Sequence, residues 1–152
     1  MSADSVDSGG IVWDFDSTGL GRTWNIGPVA ITKEKILSFA REYDPLPFHT
    51  DEEYAKSTRF KGLIAPGVMS FMALWSQFIK QDLWGENMLG GKSTKIEWLR
   101  PVHAGDILRG ELVVSGKRRR NPHNGVVEIS CRFFNQDDVL VMTDITEMVV
   151  AG

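Results

Sequence analysis

The sequence predicts an α+β domain whose helices come early and whose sheet is antiparallel and mostly C-terminal. Two patterns carry this. Ile36, Phe39, Ala40 and Tyr43 repeat with helical spacing, and Val68 to Trp75 is apolar on nearly every side. Val127, Ile129, Cys131 and Phe133 instead alternate with Glu128, Ser130 and Arg132, the period of a half-buried strand. A strand, then helices, one buried helix and several strands is an α+β order. With 152 residues, 42% of them hydrophobic, the chain builds one domain around one core.

Residues 1–20 are rich in Ser, Asp and Gly with few apolar anchors (Ile11, Val12, Trp13, Phe15), so a mobile leader that docks late is expected, followed by a domain over 21–152. Trp24 to Ile31 reads as a strand. Thr32 caps the helix that follows, which must end near Tyr43 because Pro45 disfavours helical geometry at Asp44. Asp44-Pro45-Leu46-Pro47-Phe48-His49 holds two prolines in six residues, which makes it a stiff loop. Thr50 to Glu53 reads as a capping box with Thr50 at the N-cap, placing His49 just before a helix. Gly62 to Gly67 leads into the buried helix. Beyond the glycine-rich stretch from Gly85 to Gly91, strands are expected around Thr94–Leu99, Ile107–Ser115, Val127–Phe133 and Val139–Val150, with turns at Arg100 to Asp106, Asn121 to Gly125 and Asn135 to Asp138.

Composition excludes several functions. Lys plus Arg number 17 against 20 Asp plus Glu, a net charge of −3, so no nucleic-acid partner is expected. The longest apolar stretch, Val68 to Ile79, is far short of the ~20 residues of a membrane span, so no membrane partner is expected. The N-terminus lacks the basic start of a secretory signal. One cysteine, Cys131, rules out an internal disulfide and fits a reducing cytoplasm. Glu86 to Ser93 imitates a phosphate-binding loop but has Glu86 where glycine is required and precedes a strand, so it reads as a glycine-rich hairpin or loop. Gly19-Leu20-Gly21 lacks the third glycine of a dinucleotide site, and His49, His103 and His123 have no metal-ligand spacing, so no metal is expected.

Asp44 and His49 stand five residues apart across the stiff loop, where a carboxylate and an imidazole can converge on one water or substrate proton. The same residues serve equally as structure, Asp44 capping a turn and His49 packing beside the next cap. Gly67, opening the buried helix, offers unpaired N–H groups to a developing oxyanion, or is a plain helix-start glycine. His103 and His123 fall in turns at the surface, and Cys131 belongs to the apolar face of a strand. Met69, Met72 and Trp75 are core residues or the lining of an acyl tunnel.

Tyr43 to Glu53, Phe60 to Gly67, and the Leu99-Arg100-Pro101-Val102-His103-Ala104-Gly105-Asp106 segment together resemble the MaoC-like dehydratases, close to the (R)-specific enoyl-CoA hydratases, over roughly residues 20–150. The resemblance implies a hot-dog fold, a curved antiparallel sheet around the long helix, in a homodimer or dimer of dimers with the site at the interface. It implies that Asp44 and His49 are the catalytic pair, that Asp51 completes an H-x-D pattern, and that Gly67 supplies the oxyanion N–H. Leu46 and Pro66 depart from the family's usual Asn and His; Leu46 offers no side-chain hydrogen bond and Pro66 no N–H. The activity implied is that of an enoyl-CoA hydratase or 3-hydroxyacyl-CoA dehydratase, with the acyl-CoA as substrate and no cofactor. Arg118 or its neighbours in the basic run Lys117 to Arg120, or Arg59 or Lys61, are then candidates for the CoA phosphates; otherwise that run is a solvated hairpin tip. A non-catalytic acyl-CoA-binding protein and an acyl-CoA thioesterase are the alternatives on the same fold.

Overall fold

The computed structural model describes residues 12–152. In chain order come β1 (Thr23–Ala30), α1 (Lys33–Tyr43), α2 (Pro47–Thr50), α3 (Glu52–Lys56), α4 (Gly67–Ile79), a short 3-10 turn (Gly85–Asn87), β2 (Met88–Trp98), β3 (Ile107–Asn121), β4 (Asn124–Phe134) and β5 (Leu140–Ala151). The five strands form one antiparallel sheet in the order β1-β3-β4-β5-β2, leaving β1 and β2 as its edges. The alternation read from the sequence sets the inner face: Leu108, Leu112 and Val114 of β3 and Val127, Ile129, Cys131 and Phe133 of β4 are all buried. Across this face lies α4. Its Phe71 meets Phe133 edge-on at 6.1 Å and its Phe78 meets Trp24 of β1 at 4.9 Å. A helix held against the inner face of an antiparallel sheet is the hot-dog arrangement.

Helix α1 starts where its cap predicts, with the Thr32 hydroxyl accepting from the Lys35 N–H at 3.2 Å. It stops at Asp44, whose backbone leaves helical geometry at φ −153° just before Pro45. The next cap differs from expectation. Pro47 opens a four-residue helix of its own, α2, so His49 lies in its last turn and Thr50 returns its hydroxyl to the Leu46 carbonyl at 3.2 Å. Asp51, not Thr50, caps α3, accepting from the Tyr54 N–H at 3.0 Å. The glycine-rich stretch is no phosphate loop: Gly90 and Gly91 belong to β2, next to irregularities in its pairing with β5. Helix α4 is not buried on most sides in the single chain, since Val68, Met72 and Ile79 are each more than 40% exposed.

Of residues 12–20, expected to belong to a leader with few anchors, Trp13, Phe15 and Thr18 are buried against the domain while Val12 and Leu20 stay exposed; the earlier part, 1–11, lies outside the described residues. Trp13 and Phe15 are core residues, fixed by N–H bonds to the carbonyls of Leu83 (2.9 Å) and Ala151 (2.8 Å). Trp13 packs within 6 Å of both Trp24 and Trp84. Phe15 lies over Gly125, where a Cβ would overlap its ring, so the glycine admits the aromatic. Two cations of the basic run close over Phe15: Lys117 at 4.7 Å and Arg119 at 4.8 Å from the ring centre, with Arg119 also paired to Asp16 at 2.7 Å. These members of the run fasten the N-terminal segment to the sheet.

Candidate active site

The stiff loop places its two candidate side chains, Asp44 and His49, by consecutive backbone constraints. The Asp44 N–H donates to Ala40 O at 2.9 Å, ending α1, and the Leu46 N–H turns back to Asp44 O at 2.8 Å. Pro47 then presets the helical φ of α2, and the His49 N–H bonds Leu46 O at 2.8 Å. His49 arrives 5% exposed, with Nδ1 2.7 Å from the Ile64 carbonyl oxygen and Nε2 3.4 Å from Asp44 Oδ2. A carbonyl only accepts, so Nδ1 carries the hydrogen. In the neutral ring, Nε2 is then a bare acceptor facing a carboxylate.

Ile64 is itself held in place. Its N–H bonds Phe48 O at 3.2 Å, it bridges His103, and the neighbouring Ala65 N–H bonds Val102 O at 2.8 Å. The segment Leu99 to Asp106 thus backs the loop that orients His49. His103 is no surface bystander: it is half-buried, and its ring lies 2.7 Å from Phe60 O.

His49 and Gly67 open onto a hollow of about 320 Å³ lined also by Arg59, Ser70, Trp98 and Arg100. Asp44 borders a second hollow of about 370 Å³, with Phe39, Tyr43, Pro66 and Val68. His49 thus lines one hollow and Asp44 the other, with the two side chains 3.4 Å apart. Gly67 begins α4 behind Pro66, so its N–H belongs to the first turn and has no intrahelical acceptor. The Trp98 indole lies against Gly67, in the space a Cβ would need.

Of the expected substrate-binding cations, only Arg59 lines the hollow of His49. Lys61 sits in a left-handed turn (φ 62°) outside that lining. Arg118 is engaged elsewhere, donating to Glu147 at 2.6 and 3.3 Å and holding that carboxyl down to about 2. Asp51 is occupied as the α3 cap. Sequence reasoning missed Arg100 and Ser70. Arg100 was in view inside the Leu-Arg-Pro-Val segment, and Ser70 stands three residues after Gly67, where it reads only as an interruption of an apolar run.

A second buried polar cluster lies on the sheet. Asp144 is 1% exposed; Thr146 donates to it at 2.6 Å, Thr94 donates to it as well, and it faces Cys131 across the β4–β5 pairing. Burial pushes its carboxyl pKa up, the hydroxyl bonds opposing. Burial and the neighbouring Asp144 push the Cys131 thiol up in turn, so Cys131 is a core thiol with little thiolate character.

Residues 18–133 match the model of the MaoC like domain. The chain belongs to this family. It is 30% identical to the R-hydratase PhaJ1 of Pseudomonas aeruginosa in its unliganded structure, at a TM-score of 0.74, covering 91% of this chain and 84% of that one. A structure described as a monoamine oxidase regulatory protein from Archaeoglobus fulgius superposes at a TM-score of 0.85 with 28% identity, covering 92% of this chain and 95% of that one. The uncharacterized protein YdeM of Bacillus subtilis (strain 168) is 27% identical over 128 residues, which are 84% of this MaoC-like chain and 91% of the relative. Among the described residues of this family member no helix is long and apolar enough to cross a membrane.

Proposed function

We propose that this protein is a hydro-lyase that adds water across, or removes it from, the C2–C3 bond of an acyl-CoA thioester. The observation that carries the reading is the orientation of His49: with Nδ1–H committed to Ile64 O, the neutral ring presents Nε2 as an acceptor 3.4 Å from the Asp44 carboxylate. Two acceptors side by side hold a water by both of its hydrogens, which leaves an oxygen lone pair directed outward. In the hydration direction that lone pair attacks C3 of the enoyl thioester as one proton passes to the pair, and the pair delivers a proton to C2. Negative charge moves meanwhile onto the thioester oxygen, where the Gly67 N–H at the start of α4 is the donor that stabilises it. Removal of water runs the same steps backwards. The likeness to an R-hydratase at 30% identity supports this chemistry.

Arg59 and Arg100, both exposed at the hollow of His49, are the cations for the phosphates of the CoA arm. The reading includes a homodimer. β2 is an edge strand with Trp98 and Leu89 more than half exposed, and an antiparallel copy of itself satisfies its free backbone groups around a two-fold axis.

The test follows the enoyl-thioester absorbance of crotonyl-CoA with the wild type, Asp44→Asn and His49→Gln. Loss of absorbance without release of free thiol, reduced roughly 10²- to 10⁴-fold in each variant, is the expected result. Release of free thiol makes the protein a thioesterase; crotonyl-CoA binding without turnover makes it a binding protein. Either overturns the reading.

A further inference from the structure

Helix α4 carries one polar side chain that its own packing does not explain. Ser70 is 1% exposed, lines the hollow shared by His49 and Gly67, and its Oγ has no hydrogen-bond partner in the protein. Serines inside helices ordinarily return the hydroxyl to a carbonyl one turn back, as Ser76 does to Ala73 O at 3.2 Å. Ser70 does not, although its backbone N–H reaches Pro66 O at 3.2 Å. A buried hydroxyl without a partner works against folding, and each such group in a native protein calls for an explanation.

The position suggests one. Residues three apart share a helix face, and helical side chains lean toward the N-terminus, so the Ser70 hydroxyl lies over the turn that begins with Gly67. Gly67 itself adds no side chain there, and the Trp98 indole takes the space one would need. We propose that the Ser70 hydroxyl is a second donor to the substrate's thioester oxygen, completing with the Gly67 N–H a two-donor oxyanion site. This rests on the hydro-lyase reading above. The serine keeps its proton throughout; it donates a hydrogen bond that strengthens as charge gathers on the oxygen and relaxes as the charge leaves. Its contribution therefore falls on kcat rather than on KM.

Steady-state kinetics with crotonyl-CoA and thermal melting of the wild type, Ser70→Ala, Ser70→Cys and Asp44→Asn test it. Ser70→Ala is expected to lose roughly 100-fold in kcat, with KM little changed and a Tm equal to or above that of the wild type, because an unpaired buried hydroxyl has been removed. Ser70→Cys, a weak donor of similar shape, is expected to fall between them. Wild-type kcat in Ser70→Ala beside an inactive Asp44→Asn overturns the inference and leaves the hydro-lyase reading standing. So does a rise in KM at unchanged kcat, and so does a fall in Tm accompanying the loss of rate, which marks a structural serine. A wild type that does not turn over crotonyl-CoA overturns the reading and the inference with it.

Discussion

Trp98, the last residue of β2, fills the space that a side chain on Gly67 would need, so the helix start and the edge strand meet with nothing but backbone on one side. Gly67→Ala is accordingly expected to displace the indole and shift the α4 N-terminus, and with the proposed oxyanion N–H moved out of place, to lower kcat at least about tenfold. A double-mutant cycle with Trp98→Ala checks the cause. If the clash is responsible, Gly67→Ala costs markedly less in the Trp98→Ala background.

Arg100 and Arg118 are expected to behave oppositely. Arg100→Ala raises KM for a CoA thioester roughly tenfold, the scale of one charge-assisted bond, and leaves KM unchanged for an N-acetylcysteamine thioester, which has no phosphate. Arg118→Ala leaves both KM values alone, because its partner is Glu147. Equal KM effects on the two thioesters would remove Arg100 from phosphate binding.

Phe15→Ala removes a ring that is 6% exposed and pinned between Gly125 and two cations. Burials of this kind cost ~3–5 kcal/mol when truncated. Chemical denaturation is expected to show a loss of that order, while Arg119→Ala shows a smaller one. A loss below about 1 kcal/mol for Phe15→Ala would mean that the segment contributes little to the fold.

The Glu147–Arg118 pair sets an acid dependence. The folded carboxyl titrates near 2 against 4.5 for the free group, because Arg118 bonds its charged form. Its stabilisation is complete above the unfolded value and disappears as pH falls from about 4.5 toward 2. Melting of the wild type and Glu147→Gln across this interval is expected to converge as pH drops; parallel curves would refute the assignment.

Asp144 runs the other way. Its pKa is raised by burial, so its charged form is the disfavoured one, and it costs stability once pH rises above the range of a free carboxyl. Asp144→Asn keeps the shape and removes the titration. The variant is expected to melt higher than the wild type at neutral pH, with the advantage shrinking in acid.

The parts of this protein that depend on local chemistry were legible in the sequence: the Thr32 cap, the Pro45 stop, the alternation of β4 and the proximity of Asp44 and His49. What escaped depends on tertiary contact. Asp51 and Thr50 are both good caps, and only the turn started by Pro47 gives the position to Asp51. Trp13 and Phe15 looked like isolated apolar residues in a polar leader because their partners, Leu83, Trp84, Gly125 and Ala151, are distant in sequence. Arg118 has the right chemistry for a phosphate, but its strand register sets it beside Glu147. Ser70 gave no signal, since a missing hydrogen bond is visible only in three dimensions.

The bond from His49 to Ile64 O makes a main-chain atom the mount for the imidazole. A mount of this kind tolerates exchange of the side chain it belongs to but not movement of its track, and that track is tied through Ala65 to Val102 and through Leu63 to Ala104. Saturation mutagenesis should therefore find Ile64 permissive to other aliphatic residues, while one-residue insertions or deletions between 103 and 106, outside the lining of the hollow, silence the protein with Asp44, His49 and Gly67 unchanged.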